Sequence, residues 1–292
     1  MTVDRFLPWV LRATWATLPL TAGTLIAGAL QPRSDAVATT AGALAWIGWS
    51  IGMLASLVPH PISLTALRTL APAAAATVAA ASTARDASLI LTLAGVASGA
   101  ATLVIVFLPS VGERFINGPA YPNERRMLLR LPGPLMFGPL PLAWAALCVG
   151  ATIGPMMLAA ALVPLGAVAT VVGWGVAVLM ARAVHRLALR WVVFVPAGVV
   201  LHDSMAIVDA VLFGRPIVES LAAAPADSDS LDLTRGALGL ALELKLREKV
   251  PMVLVGPKGR DAEAGASARL LFTPTRPGAL LAEAAARRLP TA

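Results

Sequence analysis

Hydrophobic and polar positions follow two different rhythms along this chain. Through about residue 187 the apolar residues come in long runs, and a helix needs about 20 mostly apolar residues to cross the hydrocarbon core of a bilayer. Six segments meet that length: residues 10–30, 37–58, 62–81, 87–109, 134–154 and 156–181. The fourth and sixth hold no charge within them, and the third is alanine-rich and carries Arg68 and Pro72. Only Gly154 and Pro155 separate the fifth from the sixth, which predicts a tight hairpin there. Gly48/Gly52, Gly95/Gly99 and Gly150/Gly154 have the spacing that lets helix backbones approach closely, which predicts packing within the bundle.

Beyond Arg190 the runs shorten and turn residues punctuate them. Trp191–Val195, then Pro196, Ala197 and Gly198, then Val199–His202 read as a hairpin. Leu238, Leu240, Leu242, Leu244 and Leu246 alternate with Gly239, Ala241, Glu243, Lys245 and Arg247. This period of two predicts one half-buried strand with Glu243 on its solvent face. Met252–Val255 and Arg269–Thr273 supply further strands. The chain closes on a helix over about Arg276–Leu289, with Leu281, Ala285 and Leu289 on one face. The expected division is a transmembrane domain over residues 1–187 and a globular domain over residues 188–292.

The stretch RWVVFVPAGVVLHD looks like an opening hairpin, and LLFTPTRPGALLAEAAARRL like a last strand running into a terminal helix. In that order and texture the C-terminal part resembles the pleckstrin-homology-like domains attached to bacterial membrane proteins. The resemblance covers roughly a third of the chain. It implies an α+β fold: an antiparallel β-barrel or sandwich of about seven strands, capped by one C-terminal helix. The whole chain is similar to multi-pass membrane proteins of high-GC, actinobacterial-type bacteria, a family that has no assigned activity to carry over.

Composition supports the membrane reading. Of 292 residues, 58% are hydrophobic and 13% charged, where a soluble domain has roughly 25% charged. Residues 1–187 contain 11 Arg, no Lys and 5 acidic residues, whereas residues 188–292 contain 12 Lys and Arg against 11 acidic residues. The excess positive charge therefore sits at the ends of apolar segments, where it sets topology. With the N-terminus inside, nine arginines flank the spans on the cytoplasmic face. On the opposite face there are only Arg33 and Arg85. An even number of spans then brings both termini to the cytoplasmic side of the plasma (inner) membrane. The nearly balanced C-terminal part gives no electrostatic reason to expect nucleic acid. The single cysteine, Cys148, excludes an intramolecular disulfide.

Chemistry is sparse. There is no HExxH, no GxSxG and no complete phosphate loop, and GPKGR at 256–260 reads as a hairpin turn. His202 and Asp203 are adjacent, which on a strand sends them to opposite faces. Two candidate features remain. The loop over residues 110–133 carries Arg114, Arg125, Arg126 and Arg130 interleaved with apolar residues, a pattern suited to anionic phospholipid headgroups at the membrane surface. The same loop would serve as a topology anchor that packs on the C-terminal domain. Arg68 is the one ionisable residue placed well inside a span, and near the cytoplasmic boundary it can snorkel to the headgroups. These features predict a non-enzymatic membrane protein, without catalytic residues, metal or cofactor. Its C-terminal domain would bind lipid, a protein partner or a second copy of the chain. The alternative is a small transporter or lipid-handling bundle.

Overall fold

A computed structural model of the chain describes residues 3–84, 88–256 and 261–291, the first three by their backbone alone. The expected positions Arg85 and the Gly256–Arg260 turn fall wholly or mostly outside these residues. Six helical segments are long and apolar enough to cross a membrane: Phe6–Leu30, Asp35–Leu57, Pro61–Ala81, Leu89–Phe107, Gly133–Ala159 and Val163–Leu187. The chain is a multi-pass membrane protein. Its helices are α1 (Val3–Leu30), α2 (Asp35–Leu57), α3 (Pro61–Ala81), α4 (Leu89–Phe107), α5 (Pro109–Asn117), α6 (Gly133–Met136), α7 (Pro139–Ala159) and α8 (Val163–Leu187).

Two compact units divide the chain, and neither is a single stretch of sequence. The first comprises residues 1–118 and 142–185, the second residues 119–141 and 186 onward. The expected boundary at 187/188 therefore misses a segment. Residues 119–141, which follow α5 and include the start of the fifth span, belong with the C-terminal part.

In the helical unit the glycines do what their spacing implies. The Trp15 indole lies where a Cβ on Gly52 would be, so only glycine allows α1 and α2 to meet there. Trp15 Nε1 donates to the Trp49 carbonyl and Trp49 Nε1 to the Trp15 carbonyl, each at 2.9 Å. This reciprocal pair satisfies two indole N–H groups that water does not reach in hydrocarbon. Gly95 packs against Leu25 and Val78, Gly150 against Gly173, and Gly154 against Thr170. The expected hairpin at Gly154 and Pro155 is displaced. Helix α7 continues through Pro155 to Ala159, and the chain reverses at Ala160–Leu162, where Ala161 takes φ +60°. A membrane helix tolerates the missing proline N–H, and Gly154 is used for packing rather than for the turn.

The second unit contains two four-stranded sheets. In the first the order is β1 (Arg125–Leu128), β2 (Trp191–Val195), β3 (Gly198–His202) and β4 (Val211–Gly214), with every neighbouring pair antiparallel. In the second, β5 (Val218–Ala223) pairs with β7 (Leu242–Val255), β7 with β8 (Ala262–Phe272), and β8 in parallel with the short β6 (Leu231–Asp232). The final helix, α9 (Pro277–Ala286), follows β8. The sheets share one core with α9, built from residues such as Phe194, Phe213, Leu244, Leu270 and Leu280.

This corrects the barrel form of the expected antiparallel barrel or sandwich of about seven strands: both sheets are open, the described residues form eight strands, and β6 runs parallel to β8. One extra strand, β1, comes from the loop between spans. The chain leaves β4 through the 3-10 turn Arg215–Ile217 and enters β5 in the second sheet.

The leucine alternation is also shorter than its pattern. Leu242, Leu244 and Leu246 are buried, but Leu238 and Leu240 are 59% and 51% exposed and precede the strand. Glu243 does not face solvent. It is 4% exposed and accepts hydrogen bonds from Ser228 and Ser230. On α9 the buried positions are Leu280 and Ala284, not Leu281 and Ala285. The strand start gives a direct test. Leu242→Asp should destabilise the unit by a few kcal/mol, because it buries a charge without a partner. Leu240→Asp should change its thermal unfolding little. Equal losses would place the strand boundary elsewhere.

Candidate functional site

The β2–β3 hairpin begins and ends on a buried ion pair. The register Trp191↔His202 and Val195↔Gly198, extended by one step, sets Arg190 opposite Asp203. Arg190 Nε and Nη2 meet the two Asp203 oxygens at 2.6 and 2.7 Å, and both side chains are 1% exposed. Arg190 Nη1 also donates to the Arg130 carbonyl at 2.8 Å, and Asp203 Oδ1 accepts from the Met205 N–H at 3.1 Å. The fork is thus satisfied on both sides, as a buried charge requires. With its oxygens engaged in this way, Asp203 is a structural anchor rather than a general base.

The opposite face of the same strands carries a stack of a different kind. The Trp191 and His202 rings lie parallel, 5.2 Å apart at 21°, and the Arg126 guanidinium sits 5.3 Å from the Trp191 ring centre. His202 Nδ1 is 2.8 Å from the Leu189 carbonyl. A carbonyl can only accept, so Nδ1 carries a proton. Arg126 also holds Glu124 at 3.2 Å. Partial burial pushes the Glu124 carboxyl up, but hydrogen bonds from Arg126 and the Tyr121 N–H and the Arg126 charge outweigh it. The net shift is downward. A cation, an indole and an imidazole on one sheet face can hold a planar or anionic group.

The loop arginines are divided between the two units, and the three in the β-sheet unit do not share one face. Arg114 is exposed on α5 in the helical unit. Arg125 and Arg126 are neighbours on β1, so they alternate to opposite faces. Arg130 follows β1, and its side chain lies over Gly239. Arg68 sits on α3 with its guanidinium 5.6 Å from the Phe107 ring centre. Its Nε is buried and has no hydrogen-bond partner among the described residues. His60 caps α3, accepting the Ile62 N–H at 3.2 Å.

Two functional groupings escaped the sequence reading. Arg190 counted there as one of the topology-setting arginines, although the hairpin register already points to Asp203. Glu243 was assigned to solvent, and the Ser228–Ser230 segment that covers it has no periodicity to announce it. Burial pushes the Glu243 carboxyl up, while hydrogen bonds from Ser230, Ser228 and Lys245 and the Lys245 charge bring it down by more, for a net lowering. No group of three His, Cys, Asp or Glu among the described residues could hold a metal ion. No protein-family model, curated protein or solved structure matches the chain.

Both groupings are testable by unfolding of the detergent-solubilised chain. Asp203→Ala leaves a buried guanidinium unpaired and should cost about 3–5 kcal/mol, whereas Arg190→Met with Asp203→Leu should recover much of the loss. The folded state holds Glu243 ionised more readily than the unfolded chain does. Its contribution is therefore present above the usual carboxylate range and is lost as pH falls through the lowered value. Glu243→Gln should flatten the acid limb of a plot of Tm against pH, and an unchanged limb would remove Glu243 from the acid response.

Proposed function

We propose that this chain is a non-enzymatic protein of the plasma membrane whose β-sheet unit is a binding module at the cytoplasmic face. In this reading both termini are cytoplasmic, and the unit is a pleckstrin-homology-like module with lipid or protein as its partner. The observation that carries the proposal is the module's construction from two segments, residues 119–141 and residues 186 onward. The first leads directly into the fifth span and the second follows directly from the sixth. A module fastened at both places cannot diffuse away from the bilayer, so its partner is a membrane component or comes to the membrane.

The face of Arg126, Trp191 and His202 is the place for that partner. Its chemistry combines a guanidinium already paired with Glu124, an indole and an imidazole, a surface suited to a planar polar group. The second reading, a lipid-handling or transport bundle, rests on Arg68. A guanidinium with a partnerless buried nitrogen inside a span is costly and is often kept for function.

Purification of the full chain in mild detergent, followed by identification of retained lipids and proteins, tests the first reading. We expect a specific anionic lipid or protein to be retained by the native chain and lost from Arg126→Gln at unchanged Tm. Retention that survives in Arg126→Gln and disappears in Arg68→Met would transfer the function to the bundle. Reporter fusions at Arg33 and Tyr121 should fall on the outer and inner sides respectively, and an exterior Tyr121 would overturn the orientation.

A further inference from the structure

The turn that joins β6 to β7 is built to hold apolar side chains outward. Its sequence from Leu233 is LTRGALGLA. The Thr234 N–H donates to Asp232 Oδ1 at 2.7 Å, the Gly236 N–H to Thr234 Oγ1 at 3.2 Å, and the Ala237 N–H to the Thr234 carbonyl at 3.1 Å. Arg235, Gly236 and Gly239 have φ of +56°, +74° and +120°. A side chain at Gly239 would be strained and would also fall 3.0 Å from Nε and Cζ of Arg130. This shaped backbone presents Leu238 and Leu240, each more than half exposed. The Arg235 guanidinium is turned away, donating to the Val255 and Gly256 carbonyls.

The turn is fixed to the first residue of the fifth apolar segment. The Gly133 N–H donates to the Gly236 carbonyl at 3.0 Å, and Pro132 forms a bridge with Ala237. A Cβ on Gly133 would lie 3.4 Å from Cγ of Leu238. The fifth membrane span begins at this same Gly133. Met136 and Phe137, just inside that span, are 44% and 79% exposed. Leu238 therefore lies at the first residue of the fifth apolar segment, and the exposed cation Arg130 lies over Gly239 between Leu238 and Leu240.

We propose that the Thr234–Ala241 turn is a bilayer-dipping loop. Leu238 and Leu240 enter the boundary between headgroups and acyl chains beside the fifth span, and Arg130 meets the phosphate of an anionic phospholipid. This is the pattern of interfacial membrane contact, with aliphatic side chains inserted and a basic residue at headgroup level. It rests on the reading of this unit as a membrane-surface module and supplies its lipid contact, distinct from the Arg126–Trp191–His202 face.

The test uses the full chain with Cys148→Ser, carrying Leu238→Cys or Leu240→Cys labelled with an environment-sensitive fluorophore. A label at Asp229→Cys, whose side chain is 84% exposed, serves as the aqueous reference. The protein is reconstituted in vesicles of phosphatidylcholine alone or mixed with phosphatidylglycerol. Labels at positions 238 and 240 should emit to the blue of the label at 229. Nitroxide carried on lipid acyl chains should quench them, and aqueous iodide should not. Adding phosphatidylglycerol should enhance both effects, and Arg130→Gln should abolish that enhancement. Iodide quenching equal to that at 229 overturns the insertion, as does protection from both quenchers, which would signify a second protein copy over the loop. A phosphatidylglycerol response that survives Arg130→Gln removes the headgroup role. If the loop stays aqueous while Arg126→Gln still abolishes ligand retention, the loop inference alone fails. If the loop inserts and nothing is retained, the binding-module reading alone fails.

Discussion

The pairing of Arg190 with Asp203 is the constraint on which the β-sheet unit depends. Taking a guanidinium and a carboxylate out of water costs several kcal/mol each, and only good geometry with further hydrogen bonds offsets that cost. Here the fork of Arg190 engages both carboxylate oxygens and, with its remaining arm, the Arg130 carbonyl. That third contact joins the segment between the fourth and fifth spans to the hairpin after the sixth. Around it run the Leu129 N–H to the Arg190 carbonyl, the Arg130 N–H to the Thr273 carbonyl and the Thr275 N–H to the Leu128 carbonyl. One buried cation thus organises the meeting of β1, β2, the end of β3 and the exit of β8.

From that junction the two faces of the first sheet take separate roles. Inward, Met127, Val192, Phe194 and Leu201 join the core shared with the second sheet and α9. Outward, Arg126, Trp191 and His202 form a half-buried polar and aromatic surface. The alternation of a strand is sufficient to produce both. The helical unit uses another economy, in which glycines bring backbones together and a few polar groups pair between helices. Thr21 and Ser98 share a hydrogen bond of 2.7 Å, and Trp144 donates to the Thr69 carbonyl at 3.0 Å.

The spans were legible because length and apolarity are the whole of their specification. The C-terminal strands were legible only where a turn signal fixed a register, as at Pro196–Gly198. β1 was not, since RRML between other arginines reads as surface until its partner strand, some 60 residues later, is known. The five alternating leucines misled for a physical reason: a period of two marks an apolar face but does not say what covers it. Leu242, Leu244 and Leu246 are covered by protein, whereas Leu238 and Leu240 belong to a turn with left-handed residues. Glu243 was misread because its cover comes from an irregular polar segment.

The insertion of residues 119–141 into the β-sheet unit has a consequence for biosynthesis. A ribosome completes β1 first and then two membrane spans before it produces the strand that pairs with β1. Until the sixth span is placed, Arg125–Leu128 has no ladder and Arg130 has no guanidinium on its carbonyl. The first sheet therefore cannot be completed before the sixth span has been synthesised. A fragment beginning after the sixth span would lack an edge strand and part of the coordination of its buried charge. Completion of the first sheet thus requires residues encoded on both sides of the last two spans.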